Sequence, residues 1–451
     1  MVDNATDKES KLEAAAGYRG YVLFMLIVVY TFNFIDRQII GILAVPIQAE
    51  LGVSDTMMGV MRGVAFALFY STLGVPIAWL ADRYNRVRIM TVALSLWSFM
   101  TMVCGMIATP VQLFFARMGV GVGEAGGVAP AYSIVSDYFP PEQRARALAI
   151  YSFGVPFGSA VGIVFGGVIA TILDWRAAFL IVGALGLVLA PIFLFTTKEP
   201  ERGQFDGGEK PVPASVGAVL NKLTSKRSFW LLSLGAAFSS MMGYGLFAWI
   251  PTFLVRSYGA DFPEFFSWAP QWLAPDGAPA ILYASYFYGA VVLVGGTAGI
   301  WMGGMFADKL GSQKKANYAR VPAMAFLATA PFLFLGIMSS SLSWIFVAML
   351  IPTALSLAWL GPVLAAFQHI VPPNMRATAS AIFLLINNLI GIAIGDLILG
   401  FMSDAFAAQF GAESLRYSIM CGGVFYLAAA GMLFLASNYL EDDWEVESQV
   451  E

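Results

Sequence analysis

This 451-residue chain has only two cysteines and one histidine, which leaves little for disulfide or thiolate–imidazole metal chemistry. Cys104 and Cys421 fall in separate apolar stretches, so neither a disulfide framework nor a metal site is expected. The lone histidine, His369, ends an apolar run and reads as a surface residue. Charged residues make up only 12% of the chain, and the net charge of -4 says little about partners because the acidic surplus includes the C-terminal tail EDDWEVESQVE; no nucleic-acid partner is expected. No nucleophile elbow or phosphate-cradling loop stands in a suitable context. That argues against an enzyme acting on lipid headgroups, and no cofactor is implied. Residues 1–20, MVDNATDKESKLEAAAGYRG, lack the basic-then-apolar layout of a cleaved signal and read as a polar tail.

What the chain has in abundance is apolar surface. Hydrophobic residues make up 59% of the chain and the mean hydropathy is +0.73, far from a soluble composition. Runs longer than the roughly 18 residues needed to cross a bilayer recur from Gly20 to Leu440. Twelve helical spans are predicted, at 20–47, 55–81, 87–108, 110–137, 144–172, 176–197, 229–257, 281–307, 319–338, 342–370, 375–403 and 415–438. The fold class is an all-α membrane protein. With both termini cytoplasmic, 19 of the 25 lysines and arginines lie on the cytoplasmic side. Four lie outside and two within spans, and this asymmetry sets the expected orientation. Short tails and loops suit a monomer in a bacterial inner membrane.

The one long polar interruption, 198–228, is rich in Pro, Gly and charge and reads as a cytoplasmic linker. The expected organisation is an N-terminal tail (1–19), a six-helix bundle (20–197), the linker, a second six-helix bundle (229–440) and an acidic tail (441–451). The bundles repeat each other. AWLADRYNRVR (78–88) after span 2 aligns with GMFADKLGSQK (304–314) after span 8, and FPPEQRARALAIYSFGVPFGSAVG (139–162) aligns with VPPNMRATASAIFLLINNLIGIAIG (371–395). Recurrence at the same step of each half points to duplication of a six-helix unit.

Four ionisable residues sit at membrane depth: Asp36 and Arg37 in YTFNFIDRQIIGILAV, and Arg117 and Glu124 in LFFARMGVGVGEAGGVAP. Each charge at the centre of a span costs about 2.5–3.5 kcal/mol, so these should face one another or a water-filled cavity. Arg117, Gly121 and Glu124 share one helical face, with the two charges roughly 10 Å apart along it. Depth counting puts Asp36 between them, and the glycines of span 4 allow a neighbouring helix to approach. Asp36 and Glu124 are candidate proton carriers. Arg37 and Arg117 compete for them or bind an anionic headgroup, for which a planar guanidinium is suited. A static ion-pair network is the alternative. Arg62, two turns into span 2, reads first as a side chain snorkelling to the bilayer surface, with headgroup binding the other possibility.

Together the repeat and its motifs resemble the major facilitator superfamily, and NFIDR, LADRYNR and RMGVGVGEA in that order resemble its Spinster-like branch. The superfamily's loop signature is present twice, although Ala78 and Asn85 stand where glycines are usual; Gly304 and Gly311 keep the pattern. The resemblance implies a latch at the cytoplasmic ends in the outward-open state, formed by Asp82, Arg83, Arg86, Asp308 and Lys309. It further implies an alternating-access secondary transporter, coupled to protons and moving an amphipathic anionic lipid such as a lysophospholipid or sphingoid phosphate. A polyspecific exporter of amphipathic drugs or metabolites is the runner-up, and a non-transporting sensor is a third reading. The expected partners are membrane lipids, an amphipathic small molecule and protons.

Further candidates would line a cavity. Span 7 is weakened by Gly243, Gly245 and Pro251, and its Met241, Met242, Tyr244, Phe247 and Trp249, with Tyr283 and Tyr286 of span 8, form a soft wall for an acyl chain. Asn33, Asn387 and Asn388 either bridge helices or face the cavity. Asp396 is expected near the outer end of span 11, solvated. The loop 261–279 should anchor at the bilayer surface through its aromatics.

Overall fold

The computed structural model describes residues 2–203, 205, 215–311, 314–372 and 375–445. The side chain of Asp308, linker residues 206–214 and tail residues 446–451 lie outside the described residues. Hydrocarbon offers the backbone no hydrogen-bond partners, so each apolar run resolves into a helix. In chain order these are α1 (Val2–Ile42), α2 (Asp55–Ala81), α3 (Arg86–Met106), α4 (110–138), α5 (141–172) and α6 (Trp175–Thr196) in one half. The other half contains α7 (Arg227–Tyr258), α8 (Ala280–Gly311), α9 (Asn317–Met338), α10 (342–369), α11 (376–410) and α12 (414–437). Each of the twelve predicted spans is represented by a helix or by consecutive helices, and among the described residues ten stretches are long and apolar enough to cross a membrane.

Local sequence sets several boundaries. Thr109 and Gln112 form a capping box at the start of α4, with Pro110 at the first helical position. Asp174 caps α6 by accepting from Ala177 N at 2.7 Å. Asn85, where the repeat pattern has glycine, caps α3 by accepting from Arg88 N at 2.8 Å. α4 is broken at 125–127, just beyond Glu124, in the run Ala-Gly-Gly. Both α2 and α11 contain a π-helical turn, Val60–Val64 and Leu389–Ile394, and the two turns pack against each other. Such turns redirect side chains and often accompany functional sites.

One face of the molecule gathers the start of α1, the linker and the C-terminal segment. Tyr18 donates its hydroxyl to Thr196 O at 3.0 Å, and Glu445 pairs with Lys222 at 2.7 Å and Lys226 at 3.0 Å. On this terminal face Arg86 is buried, paired with Asp137 and with Glu199 at 2.6 Å, and bonded to Ser133 at 2.7 Å. These partners belong to its own half or to the linker joined to it. Asp82 and Arg83 are exposed, Arg83 lying over the Trp79 ring at 3.9 Å; Lys309 is exposed as well.

The halves meet toward the opposite face. Gly59 and Gly63 of α2 let the backbone of α11 approach so closely that a Cβ would meet Asp396 O at 2.5 Å and Ala393 O at 2.8 Å. At the end of that seam the Asp55 carboxylate accepts two hydrogen bonds from Arg256, both at 2.7 Å, one from Gln48 at 2.7 Å and one from Ser403 at 2.6 Å. Asp404 of α11 in turn accepts from the backbone N–H groups of Asp55 at 3.1 Å and Thr56 at 2.8 Å. A carboxylate from one half thus caps the first turn of a helix in the other.

Candidate functional site

α1 presents two neighbouring charges on faces about 100° apart, and α4 supplies an opposite charge for each. Arg37 Nε donates to Glu124 Oε2 at 2.6 Å. Arg117 Nη1 lies 3.6 Å from Asp36 Oδ1, and Thr101 of α3 donates to the other Asp36 oxygen. Asp36, Arg117 and Glu124 are buried and Arg37 nearly so. Glycine makes this approach possible: a Cβ on Gly121 would sit 2.4 Å from Phe66 O of α2, and one on Gly123 2.5 Å from Trp97 N of α3. Phe66 lies beneath both arginines, its ring centroid 4.9 Å from the Arg37 guanidinium carbon and 5.5 Å from that of Arg117. Tyr70 continues the stack under Arg37 at 4.4 Å.

These arginines line a central cavity between the halves, with Arg62, Tyr244, Phe247 and Asp396. Its space is small, about 40 Å³, room for about three waters. Arg62 does not snorkel. It is buried, donates to Ala248 O of α7 at 2.9 Å and lies over the Trp249 ring at 3.9 Å. The π-turn that carries it and the packing of α2 on α11 seal it from the bilayer surface. Asp396 is likewise buried instead of solvated, because α11 runs on to Phe410 and the part of it that carries Asp396 is covered by α2. Several polar atoms here lack a hydrogen-bond partner, among them Arg37 Nη2, Arg62 Nε and Nη2, Arg117 Nε and Nη1, and Asp396 Oδ1.

Other candidate lining residues lie elsewhere. Met242 packs against Gly422 of α12, and Met241 backs onto Gly395 of α11. Trp249 donates Nε1 to Asp396 O at 3.1 Å and serves as the floor under Arg62. Tyr283 stacks on Phe262 and Phe266 and donates to Pro275 O at 3.0 Å, and Tyr286 meets Phe266 edge-on; both hold the 261–279 loop. Trp268 and Trp272 project from that loop. Asn387 accepts from Ser240 at 2.9 Å and donates to Asn388 at 3.4 Å, whereas both amide atoms of the buried Asn33 are without partners. His369 stacks on Trp444 at 4.6 Å. Among the described residues no group of His, Cys, Asp and Glu is arranged to hold a metal ion.

Two six-helix halves closed over a buried, charged cavity define an integral membrane transporter rather than an enzyme. Residues 26–395 match the family model described as Major Facilitator Superfamily. The chain belongs to that superfamily, and its relatives place it beside the Spinster proteins. An MFS-type efflux pump of Mycolicibacterium smegmatis is 31% identical, the match covering 92% of this chain and 91% of the relative. Protein spinster homolog 1 of Xenopus tropicalis is 29% identical, with 94% and 83% covered. The crystal structure of a bacterial homologue of the human lysosomal transporter Spinster, inward-facing and unoccupied, superposes with a TM-score of 0.80 at 32% identity, covering 96% of this chain and 99% of that one.

Proposed function

We propose that this protein is a proton-coupled secondary transporter working by alternating access, with an amphipathic anionic lipid such as a lysophospholipid as its substrate. One observation carries the reading: three guanidiniums, those of Arg37, Arg62 and Arg117, converge on one cavity with N–H groups left unpartnered. Each buried donor without an acceptor costs about 1–3 kcal/mol, a penalty that a phosphate oxygen would remove. Behind two of these arginines stand Glu124 and Asp36. An anion drawing Arg37 or Arg117 forward weakens its hold on the carboxylate behind, which then becomes free to take a proton. The proton and the anion share arginines, and this sharing is the basis of coupling.

The terminal face is read as cytoplasmic, and the protein as a monomer of a bacterial inner membrane. The bonds joining the halves at the opposite face, with the likeness to an inward-facing relative, support an inward-facing state. A cavity with room for about three waters does not hold a lipid headgroup, so loading requires the halves to part further. The test is flux of a lysophospholipid panel into proteoliposomes, with and without an imposed pH gradient. Gradient-driven flux that disappears in Asp36→Asn and Glu124→Gln is the expected result; flux indifferent to the gradient overturns the coupling, and no flux of any lysolipid overturns the substrate. The name of the mycobacterial relative supports a second reading, export of varied amphiphiles. Replacing Arg62 and Arg117 separates the two, since a polyspecific exporter keeps its neutral cargo and a headgroup site loses its phosphorylated one.

A further inference from the structure

Thr101 of α3 stands between two acceptors. Its hydroxyl donates to Asp36 Oδ2 and lies 2.9 Å from Trp97 O, one turn back on its own helix. A hydroxyl has one hydrogen to give and two lone pairs to receive with, so it serves one of the two acceptors at a time. Among the described residues this is the one hydrogen bond that the Asp36 carboxylate receives. Oδ1 has none, since Arg117 Nη1 at 3.6 Å is beyond hydrogen-bond reach. Asp36 and Thr101 are each 1% exposed. Asp36 lies off the central cavity, in a crevice between α1, α3 and α6 lined by Phe32, Trp97, Val182 and Gly183, which has no room for a water. Water therefore cannot take the place of the hydroxyl.

The arrangement gives Asp36 a partner in both of its charge states. Ionised, the carboxylate accepts from Thr101. Protonated, its two oxygens differ: Oδ1 faces Arg117, whose N–H groups can only donate, so the proton belongs on Oδ2 and is donated to Thr101 Oγ1. The hydroxyl hydrogen then turns to Trp97 O, the back-bond that a threonine within a helix makes by default. One proton is taken up and no covalent bond of Thr101 breaks. The other charged or titratable groups facing Asp36 are Arg117 and Glu124 from α4, Arg37 from α1 itself and the Cys104 thiol from α3; the residues of α6 at the crevice, Val182 and Gly183, are apolar. Among the described residues only Arg117 comes within ion-pair distance. Glycines hold the second acceptor in place: a Cβ on Gly123 would sit 2.5 Å from Trp97 N and one on Gly183 2.5 Å from Ser98 O, so α4 and α6 clamp this turn of α3. We infer that Thr101 is the positioning residue for proton uptake at Asp36, a hydroxyl that turns to accept from the acid and turns back to donate to the carboxylate. Its role rests on the proposed role of Asp36 as a proton carrier, and it supplies the group that makes both charge states tenable in a crevice without water.

The test reads the protonation of Asp36 directly, by infrared difference spectroscopy of the full-length protein in lipid, titrated with pH. The carboxylic acid C=O band that Asp36→Asn abolishes is the Asp36 signal. Thr101→Val keeps the shape and removes the hydroxyl. It should move the midpoint of that band up by about one pH unit, because a hydrogen bond to the charged form is worth more than one to the neutral acid. Thr101→Ser should keep the wild-type midpoint. In wild type, protonation should also shift the amide carbonyl band of Trp97, seen with isotope-labelled tryptophan carbonyls and lost in Trp97→Phe, a measurement that needs no Thr101 variant. The inference is overturned if no Asp36 band titrates in wild type, if the Trp97 carbonyl does not respond, if Thr101→Val leaves the midpoint in place, or if Thr101→Ser moves it as far as Thr101→Val does. A packing role alone would leave the titration where it is. Flux is the separate measure: a band that titrates while lysophospholipid flux ignores the pH gradient overturns the proton coupling proposed above and leaves the role of Thr101 standing.

Discussion

Removing the carboxylate of Asp404 should unlock the face opposite the termini. In the joined state Asp404 accepts from two backbone N–H groups of the first turn of α2, at 3.1 and 2.8 Å, across the boundary between the halves. Helix caps contribute about 0.5–2 kcal/mol and charge-assisted hydrogen bonds about 1.5–3 kcal/mol each, while water replaces part of both at this half-buried site. A net loss of about 1–3 kcal/mol follows for Asp404→Ala, borne by the joined state alone, since parted halves leave these N–H groups to water. The equilibrium between the two states then moves by about 5- to 150-fold. Ser54 still accepts from Met57 N at 3.3 Å, so α2 itself stays capped. Spin labels at Ala108→Cys and Ser340→Cys, both exposed on that face, report the change in a Cys421→Ser background, where the remaining Cys104 is buried. Double electron–electron resonance should show a longer, newly populated distance in Asp404→Ala. An unchanged distribution would refute the assignment of this contact as a lock between the halves.

Two further outcomes follow from the contacts. Glu124→Leu leaves the Arg37 guanidinium buried without its anion and should cost about 3–5 kcal/mol, while Glu124→Leu with Arg37→Met should recover most of that, because Phe66 and Tyr70 pack a thioether as well as a guanidinium. Thermal unfolding in detergent checks it, with Arg37→Met completing the cycle, and a loss in the double variant equal to the sum of the two single losses would show that the pair does not interact. Glu50, in the short helix Ala44–Leu51 that follows α1, is held below the ordinary glutamate range by hydrogen bonds from Trp175 and Arg176. A depressed value means the contact is intact at neutral pH and is lost only as pH falls through that value, so the Trp175 emission, taken as wild type minus Trp175→Phe, should stay constant into mildly acidic buffer and shift below it. A shift at or above the ordinary range would contradict the contact.

Features that depend on one helix at a time were legible in the sequence. Twelve apolar runs gave twelve helices, and the spacing of Arg117 and Glu124 already placed them on one stripe. Features that depend on two halves meeting were not. Arg62 stands two turns into α2, and Asp396 is expected near the outer end of a span closing at 403, whereas α11 continues to Phe410 and places it near mid-helix; both are buried because α2 and α11 cover each other through paired π-turns, which no residue pattern announces. Nothing in the sequence marks the meeting of Asp55, Arg256 and Asp404, since the residues that meet are some 200 to 350 positions apart. For Met241 and Met242 helical spacing left both sides open, and packing against α11 and α12 decided it.

The adjacency of Asp36 and Arg37 has a mechanical consequence. Because consecutive helical side chains diverge by about 100°, α1 grips α4 at two places with charges of opposite sign, Asp36 on Arg117 and Arg37 on Glu124. No rotation of α1 about its axis can tighten both grips: turning toward one partner turns away from the other. A tilt of α1 away from α4 loosens both at once, and an anion at the cavity can compensate only the arginine side of each pair. The carboxylates are left with a proton or water as the remaining partner. Under the proposed cycle this makes substrate entry and proton uptake two sides of one displacement of α1. It also implies that Asp36→Asn and Glu124→Gln are not independent: if one tilt releases both pairs, the double variant should keep the same gradient-independent flux as either single, and a further loss of that flux in the double would show that the two pairs open separately.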